Sequence, residues 1–392
     1  MPITDPPIRV AWISSVGEKG GAEVYMINFL RHLPEGRFRP GVILLRPGPL
    51  EAELRALGWD VWVLARHRMR NLAAIARSIV QIRGIVRREG LDLLHSNGFR
   101  AHAYGGTAAR LAGVPEVWSV HTAEQPGWST RAILRIPTAH VTGNCPRTTE
   151  FFVRHGLPTS LIWPPVDLAR LNRQTPRDVL ATKFNLPVAG RWIMQAARLQ
   201  RFKGQHHLVR AVAALPPEQA DVQAVIVGGS LFGMEQDYQK ELRELAAGLG
   251  VAGRIHFTGF VSDDELRGLI AASEVVVHPA HDEDFGLIVA EAQAMERPIV
   301  AFAAVGPAAI VEDGRTGRLV PVGDQAGLDR ALAEVLADRG LREAYGRAGR
   351  ERVLRLFAAD QAGIRLARIY EAVLARRQPR LAADLQPLLA DA

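Results

Sequence analysis

A short loop in the second half of the chain carries two cations that could bind an anionic ligand. Arg198 and Lys203 stand five residues apart, directly after a strand that we predict over Trp192–Ala196. Arginine can hold two phosphate oxygens at once and lysine supplies a point charge, so the pair suits a diphosphate. Cations on loops are more often simply solvated, but ligands of α/β sheets bind beyond the carboxyl ends of the strands. The loop is therefore a candidate diphosphate site.

A second segment, His281–Glu291, combines carboxylates with the start of a predicted helix. Glu283 lies in the loop after the predicted strand Val275–His278, whereas Glu291 lies further along, within an apolar helix. The two acids would therefore reach different parts of an elongated ligand rather than share a proton. Helix capping is the alternative role for Asp282 and Glu283. For Glu291 we expect a buried functional carboxylate, because an unpaired buried charge is costly.

Two features of the first half could also contact a ligand. Gly20 and Gly21 lie between the first predicted strand and its helix, where the backbone could approach an anion closely. The surrounding residues match neither the dinucleotide-binding fingerprint nor the P-loop, and a plain turn would also explain the glycines. His121 follows a predicted strand at Val117–Val120, where it could bind a ligand or satisfy a local carbonyl.

Length and composition narrow the class of protein. A chain of 392 residues exceeds what one hydrophobic core usually holds, so we expect two domains. No segment has the roughly 18 uninterrupted apolar residues of a membrane span, and the first residues do not resemble a signal peptide, so we expect a cytoplasmic protein. Cys145 is the single cysteine, which excludes an internal disulfide and a cysteine-based zinc site. The net charge of +7 favours anionic partners.

Short apolar runs alternate with longer helical patterns along almost the whole chain. This alternation predicts parallel sheets covered by helices on both faces, which is the doubly wound α/β class. The series restarts near residue 190, after an irregular connection that begins at Trp163–Asp167. We therefore predict two Rossmann-like doubly wound domains facing a central cleft, with a boundary at about 165–185.

Taken together, these motifs resemble the retaining glycosyltransferases of family 4, the glycosyl transferases group 1, which have the GT-B fold. The similarity extends over nearly the whole chain, and the matching segments follow the family order. They are Gly20–Glu23 (G-G-x-E), Arg198–Gly204 (R-L…K-G), Phe257–Val261, the pair Glu283 and Glu291 with seven residues between them, and Glu312–Gly317. The resemblance implies an acceptor-binding domain over 1–170 and a donor-binding domain over 171–360. It also implies that a C-terminal helix at about 360–378 crosses back onto the first domain.

The resemblance also implies roles for individual residues. His121, Arg198, Lys203 and Glu283 would be catalytic: the cations would neutralise the donor diphosphate, Glu283 would hold donor-sugar hydroxyls, and His121 would bond the transferred sugar. The residues implied in donor binding are Gly20, Gly21, Glu23, Gly228, Val261, Phe285, Gly286, Leu287, Ile288 and Glu291. No metal and no other cofactor are expected, because the two cations would do what a divalent cation does elsewhere.

The implied reaction moves a sugar from a nucleotide-sugar to an acceptor with its anomeric configuration retained. A leaving phosphate oxygen would deprotonate the acceptor hydroxyl on the same face, without a protein nucleophile. UDP-sugars are the favoured donors, GDP-mannose is next, and a lipopolysaccharide or polysaccharide acceptor is the working hypothesis. Two alternatives stay open: a sugar-nucleotide epimerase of the same fold and a catalytically degenerate partner subunit. The sequence departs from the family pattern at Pro164-Pro165 and at Ala309, where a glutamate is common.

A basic segment over residues 66–88 is the remaining feature of the first half. Its apolar residues fall at helical spacing, and Arg77, Arg83 and Arg87 stand between them in the sequence. Such a helix suits an anionic membrane surface or a phosphorylated glycolipid acceptor, which would make the protein peripheral to the membrane. An ordinary helix with an apolar face on the core and a solvated basic face is the alternative. We expect no nucleic-acid partner, because no basic–aromatic pattern of a known module is present.

Overall fold

A computed structural model describes residues 6–64, 72–122, 128–172, 174–230, 235 and 237–376 of the chain. The chain divides into two compact units, Met1–Pro165 with Ala359–Ala392 and Val166–Ala358. The division falls at Pro165–Val166 rather than at 170–171, because Val166 already pairs with the second unit. Its backbone N–H donates to the Phe357 carbonyl at 2.8 Å, and it forms a parallel bridge with Ala358.

The first unit is built on a seven-stranded parallel sheet in the order β3-β2-β1-β4-β5-β6-β7. Its strands are β1 (Ile8–Ser14), β2 (Phe38–Leu44), β3 (Asp60–Val63), β4 (Leu93–Asn97), β5 (Glu116–Val120), β6 (His140–Gly143) and β7 (Thr159–Leu161). The helices of this unit that precede β7 are α1 (Gly21–Arg31), α2 (Leu50–Ala56), α3 (Leu72–Glu89), α4 (Phe99–Ala112), α5 (Trp128–Ile133) and α6 (Pro146–Arg154). The strand order reverses between β1 and β4.

The second unit repeats this plan with a six-stranded parallel sheet in the order β10-β9-β8-β11-β12-β13. Its strands are β8 (Trp192–Ala196), β9 (Gln223–Val227), β10 (Ile255–Gly259), β11 (Ser273–His278), β12 (Ile299–Phe302) and β13 (Gly317–Val320). Its helices are α7 (Arg177–Phe184), α8 (Gln205–Ala214), α9 (Tyr238–Gly248), α10 (Asp263–Ala272), α11 (Leu287–Ala294), α12 (Val305–Ile310), α13 (Gln325–Ala337) and α14 (Arg339–Leu356). The prediction of two Rossmann-like parallel-sheet units is confirmed, and here the order reverses between β8 and β11.

The last described helix, α15 (Ala359–Ala375), belongs to the first unit and lies against α1. It buries Tyr370, whose hydroxyl accepts a hydrogen bond from Trp12 Nε1 at 2.8 Å and lies 2.6 Å from His95 Nδ1. The His95 ring stacks on the Trp12 indole with centroids 3.7 Å apart, and His95 Nε2 lies 2.7 Å from Ser119 Oγ. Buried aromatic residues with polar atoms require such partners. His95 is therefore part of the core of the first unit.

Helix α3 shows where the apolar positions of the basic segment lie. Ile82, Ile85 and Val86 are buried in a core cluster that also contains Ala101 and Ala108 of α4. The unit itself thus covers the C-terminal part of the apolar face of α3, whereas Leu72 at the start of the helix is exposed. Residues 66–71 of the segment lie outside the described residues. No helix among the described residues is long and apolar enough to cross a bilayer.

Replacing Tyr370 by Phe removes the hydroxyl shared by Trp12 and His95. We expect the free energy of unfolding to fall by about 1–3 kcal/mol, because buried polar atoms lose their partner. Calorimetric unfolding of the full chain measures the change.

Tyr25→Phe is the matched control, since Tyr25 is equally buried and its hydroxyl lies 3.4 Å from Ser119 Oγ, at the limit of a hydrogen bond. Equal losses in the two variants would show that the shared Tyr370 hydroxyl has no special role.

Candidate functional site

The loops after β8 and β11 stand side by side where the strand order of the second unit reverses. These two strands pair in parallel, so their carboxyl ends meet at the same edge of the sheet. The β8 loop carries Arg198 and Lys203, and the β11 loop carries Glu283. Ligands of doubly wound sheets bind at such a reversal. The fold therefore brings together two motifs that lie about 80 positions apart in the chain.

Lys203, Glu283 and His278 form a polar cluster between these loops. Lys203 Nζ lies 2.6 Å from Glu283 Oε2, and His278 Nε2 lies 3.1 Å from the same oxygen. Burial acts to raise the pKa of Glu283, but the hydrogen bond from His278 and the charge of Lys203 outweigh it and lower the pKa to about 2. Glu283 is thus an ionised carboxylate that can only accept hydrogen bonds. His278, which the sequence interpretation missed, could have been noticed as the last residue of its strand.

Close backbone packing fixes the Lys203 loop. Gly204 has φ +74°, and an added Cβ would lie 1.9 Å from the Pro279 carbonyl oxygen, so no side chain fits there. Gln195 Nε2 donates to the Lys203 carbonyl at 2.7 Å, and the His281 N–H donates to the Phe202 carbonyl at 2.7 Å. These contacts hold the two loops at one separation, and that separation sets the Lys203–Glu283 distance.

Arg198 is exposed at the start of the same loop. Within the described ranges no hydrogen bond or ion pair involves its guanidinium, whereas its carbonyl accepts from Gln205 Nε2 at 2.8 Å. Gly228 supports this part of the loop from β9, because its φ is +118° and a Cβ would lie 2.2 Å from the Ala197 carbonyl oxygen. Gly228 also bridges Gly259, which stands two residues before the half-buried Val261 in the chain.

The beginning of α11 presents several of the predicted donor-binding residues on one face. Gly286 is the N-cap with φ +83°, and the helix begins at Leu287. Leu287, Ile288 and Glu291 are all half-buried and lie at spacings that share a helix face. Glu291 is therefore not the buried acid expected from its apolar neighbours, because the core covers only the opposite face of this short helix.

The Gly306 backbone packs under the β11 loop that leads into this helix. A Cβ on Gly306 would lie 2.2 Å from the Phe285 carbonyl oxygen, and its N–H donates to the Glu283 carbonyl at 2.8 Å. Phe285 itself is buried and contacts Phe357 with ring centroids 5.6 Å apart. The ring of Phe285 is thus a core element, and only its backbone is suited to contact a ligand.

In the first unit, Glu23 braces the loop that contains Gly20 and Gly21. Ser14 Oγ donates to Glu23 Oε1 at 3.0 Å, and the Gly20 N–H donates to Oε2 at 3.2 Å. Burial raises the pKa of Glu23 in spite of these bonds. Both carboxylate oxygens have partners in the chain, so the geometry assigns Glu23 to holding the loop, and the half-buried Gly20 and exposed Gly21 remain available to a ligand.

His121 follows β5 and has a defined tautomer. The amide of Asn97 donates from Nδ2 to the Ala22 carbonyl at 3.0 Å, so its Oδ1 faces His121 Nε2 at 2.6 Å. Nε2 must then carry the proton, which leaves Nδ1 as an acceptor. Burial lowers the pKa of His121 to about 4, so the ring is neutral at pH 7. Through Ala22, the same Asn97 connects His121 to the helix behind the Gly20–Gly21 loop.

The low pKa of Glu283 makes the stability of the second unit depend on pH. A depressed pKa stabilises the fold above the ordinary value of 4.5, and this contribution disappears as pH falls from about 5 towards 2. We expect Glu283→Gln to lower the free energy of unfolding at pH 7 by on the order of 3 kcal/mol. The gap between wild type and variant should narrow on acidification, as thermal unfolding at pH 7, 5, 4 and 3 would show.

Glu244→Gln serves as the control, since this carboxylate is exposed on α9 of the same unit. If the difference in stability between wild type and Glu283→Gln stays constant over this pH range, the assigned ion pair is contradicted.

Family comparisons match both halves of the chain. Residues 177–352 match the family Glycosyl transferases group 1, and residues 19–170 match Glycosyltransferase Family 4. The chain is 27% identical to the D-inositol 3-phosphate glycosyltransferase of Salinispora tropica, over 96% of this chain and 87% of that protein. It is 28% identical to the enzyme of the same name from Streptomyces avermitilis, over 96% and 90% of the two chains.

Solved structures agree on the fold. HepE of Anabaena in complex with UDP-glucose superposes with a TM-score of 0.80 at 24% identity, covering 93% of this chain and all of that one. Sucrose-phosphate synthase of Thermosynechococcus elongatus gives a TM-score of 0.79 at 22% identity, covering 94% of this chain and all of that one. Since the family matches fall on both parallel-sheet units, the chain belongs to the group 1 glycosyltransferases of the GT-B fold.

Proposed function

We propose that the protein is a retaining glycosyltransferase that transfers a hexose from a UDP-sugar to a hydroxyl of a glycan or lipid-linked saccharide. The observation that carries the proposal is the pairing of Lys203 with Glu283 beside the exposed Arg198, at the reversal of strand order. Two cations and a carboxylate on neighbouring loops support the binding of an anionic donor with a sugar attached.

Arg198 and Lys203 are proposed to bind the donor diphosphate. Transfer of the sugar breaks the bond to the diphosphate, so negative charge grows on the departing oxygens. Fixed cations aimed at that charge lower the barrier without any reorganisation during the reaction. The half-buried Lys203 is held by Glu283, and the guanidinium of Arg198 is open to solvent. Two cations at this position support a reaction that needs no divalent metal.

Retention is proposed to follow from same-face attack rather than from a covalent intermediate. Glu283 is engaged by Lys203 and His278, and its pKa of about 2 makes it a weak nucleophile. A departing phosphate oxygen would take the proton of the acceptor hydroxyl on the face that the diphosphate leaves. Glu283 would then accept hydrogen bonds from hydroxyls of the donor sugar, and His121 Nδ1 would accept one from the transferred sugar.

UDP is the proposed nucleotide because the HepE structures hold UDP, UDP with glucose, and UDP-glucose. GDP-mannose is the second candidate donor. For the acceptor we propose a saccharide of the cell envelope, such as lipopolysaccharide, reached from the cytoplasmic face of the membrane. The names of the Salinispora and Streptomyces relatives indicate a competing acceptor, a phosphorylated polyol. An acceptor panel that contains both classes decides between them.

Removing either cation should impair donor binding and turnover. We expect Arg198→Met and Lys203→Met each to lower kcat/KM by about 100-fold to 1000-fold, because a fixed charge at the leaving group is lost. Binding of UDP, measured by calorimetry, should weaken in both variants and should be unchanged by EDTA in the wild type.

Arg330→Met is the control, since Arg330 is exposed on α13 of the same unit. The anomeric configuration of the product, read by NMR, must equal that of the donor sugar. An inverted product or an activity abolished by EDTA would contradict the proposed mechanism. Absence of nucleotide binding would favour a degenerate partner subunit, and epimer formation from UDP-GlcNAc alone would favour an epimerase.

His121 should act as a neutral hydrogen-bond acceptor. We expect His121→Ala to lower kcat/KM by roughly 10-fold to 100-fold and His121→Gln to recover part of the loss, because glutamine retains an acceptor. Since the pKa of His121 is about 4, the wild-type profile of kcat against pH should show no ionisation of this residue between pH 5 and 8.

His155→Ala, at an exposed histidine that follows α6, should leave activity unchanged. An ionisation near pH 6.5 that disappears in His121→Ala would contradict the neutral assignment.

A further inference from the structure

Three histidines meet in the second unit, beside the Lys203 loop but outside the cluster described above. His206 and His207 lie in the first turn of α8, and His281 lies in the loop that follows β11. One ring nitrogen of each lies within 4.8 Å of those of the other two. His207 is buried, His206 is half-buried and His281 is exposed, so the group is open to solvent on one side.

Hydrogen bonds set the tautomer of His207. The side-chain amide of Gln325 donates to Asp329 Oδ1 at 2.7 Å and to the His207 carbonyl at 3.1 Å, so both of its N–H groups are used. Its Oε1 therefore faces His207 Nδ1, at 2.5 Å, and this nitrogen must carry the proton. His207 Nε2 is left with a lone pair, and it points towards His281 Nε2 at 2.7 Å.

His206 is held in a comparable way by a buried tyrosine. Its Nδ1 lies 2.8 Å from the Tyr238 hydroxyl, which also accepts a hydrogen bond from the His206 backbone N–H at 3.3 Å. A histidine that binds a metal usually uses its second ring nitrogen for such an outer contact, which fixes the ring and its tautomer. Two of the three imidazoles thus have the outer partners that a metal site requires.

Burial and the neighbouring cations disfavour protonation of His206 and His207. Burial, then the neighbouring His207 and His281, and then Arg210 and Arg201 lower the pKa of His206 to about 4. Arg201 is itself paired with Glu241 at 2.5 Å and lies 4.0 Å from Glu235, so its charge is compensated. Arg210 is exposed on α8, and Asp329 adds a negative charge behind Gln325.

We propose that His206, His207 and His281 bind one divalent transition-metal ion of the zinc class, with water as the fourth ligand. Neutral imidazoles suit Zn²⁺, and three protein ligands with one water form a common tetrahedral set. Zinc–nitrogen bonds of about 2.0–2.1 Å place tetrahedral ligands about 3.3 Å apart. The His207 and His281 nitrogens, which lie 2.7 Å apart, would therefore separate by roughly 0.6 Å, and the widest pair, which lies within 4.8 Å, would close by at most about 1.5 Å.

The ion would clamp the β11 loop to α8. The His281 N–H already bonds the Phe202 carbonyl, and Glu283, two residues further on, pairs with Lys203. A metal bridge between His281 and His207 would add a third connection, between the β11 loop and the start of α8. Because those two contacts hold the loops without the ion, zinc would raise the thermal stability of the second unit, whereas UDP binding and the proposed transfer step need no metal.

Zinc binding by the full chain without a histidine tag tests this inference. After treatment with EDTA and dialysis, equilibrium dialysis against Zn²⁺ should give one ion per chain. Co²⁺ should give the intense visible absorption of a tetrahedral site. His281→Gln should weaken Zn²⁺ binding at least 100-fold, and Gln325→Ala about 10-fold to 100-fold through loss of the outer contact.

His281 is exposed, so its variant should fold, and His155→Gln is the matched control that should bind Zn²⁺ like the wild type. Substoichiometric zinc, or equal affinity in wild type and His281→Gln, would overturn the proposal. UDP binding measured in EDTA with the same variants reports on the glycosyltransferase proposal separately. Loss of UDP binding with intact zinc binding would contradict only the proposed function, and the reverse result would contradict only the metal site.

Discussion

The ion pair between Lys203 and Glu283 is the interaction on which the site in the second unit depends. It joins the loops that follow the two strands where the sheet order reverses, and it is largely removed from water. A buried ion pair persists only with good geometry and additional hydrogen bonds, and His278 supplies one of these. The backbone provides the geometry, since Gly204 and Gly306 let both loops approach their neighbours more closely than any side chain would allow.

At the corresponding position, the first unit has neutral side chains instead of an ion pair. At its own reversal of strand order, the side chain of Asn97 joins His121 to the first turn of α1. Burial keeps the imidazole neutral, so the histidine offers an acceptor rather than a charge. One unit thus presents ionised groups near its reversal of strand order, and the other presents a neutral hydrogen-bond acceptor. This difference follows from the local partners, since both units share one sheet plan.

The core of the first unit extends to the end of the described chain. Tyr370 of α15 closes a network with Trp12 of β1 and His95 of β4, the two strands between which the sheet order reverses. Gly363 lets α15 approach α1, because a Cβ there would lie 1.9 Å from the His32 carbonyl oxygen. The C-terminal helix is consequently part of the scaffold that holds β1 and β4 in place.

The alternation of apolar runs and helical patterns was sufficient to predict two parallel-sheet units, because burial on both faces demands continuous apolar strands. The motif residues Arg198, Lys203 and Glu283 were also identifiable, since strand ends and charged loops are local features. Local sequence could not show that Lys203 and Glu283 pair with each other, that Glu23 bonds inward, or that Glu291 is only half-buried. Local sequence also could not show that His281 lies next to His207, 74 positions away in the chain. Those relations depend on which loops become neighbours in the folded sheet, and only the tertiary structure decides that.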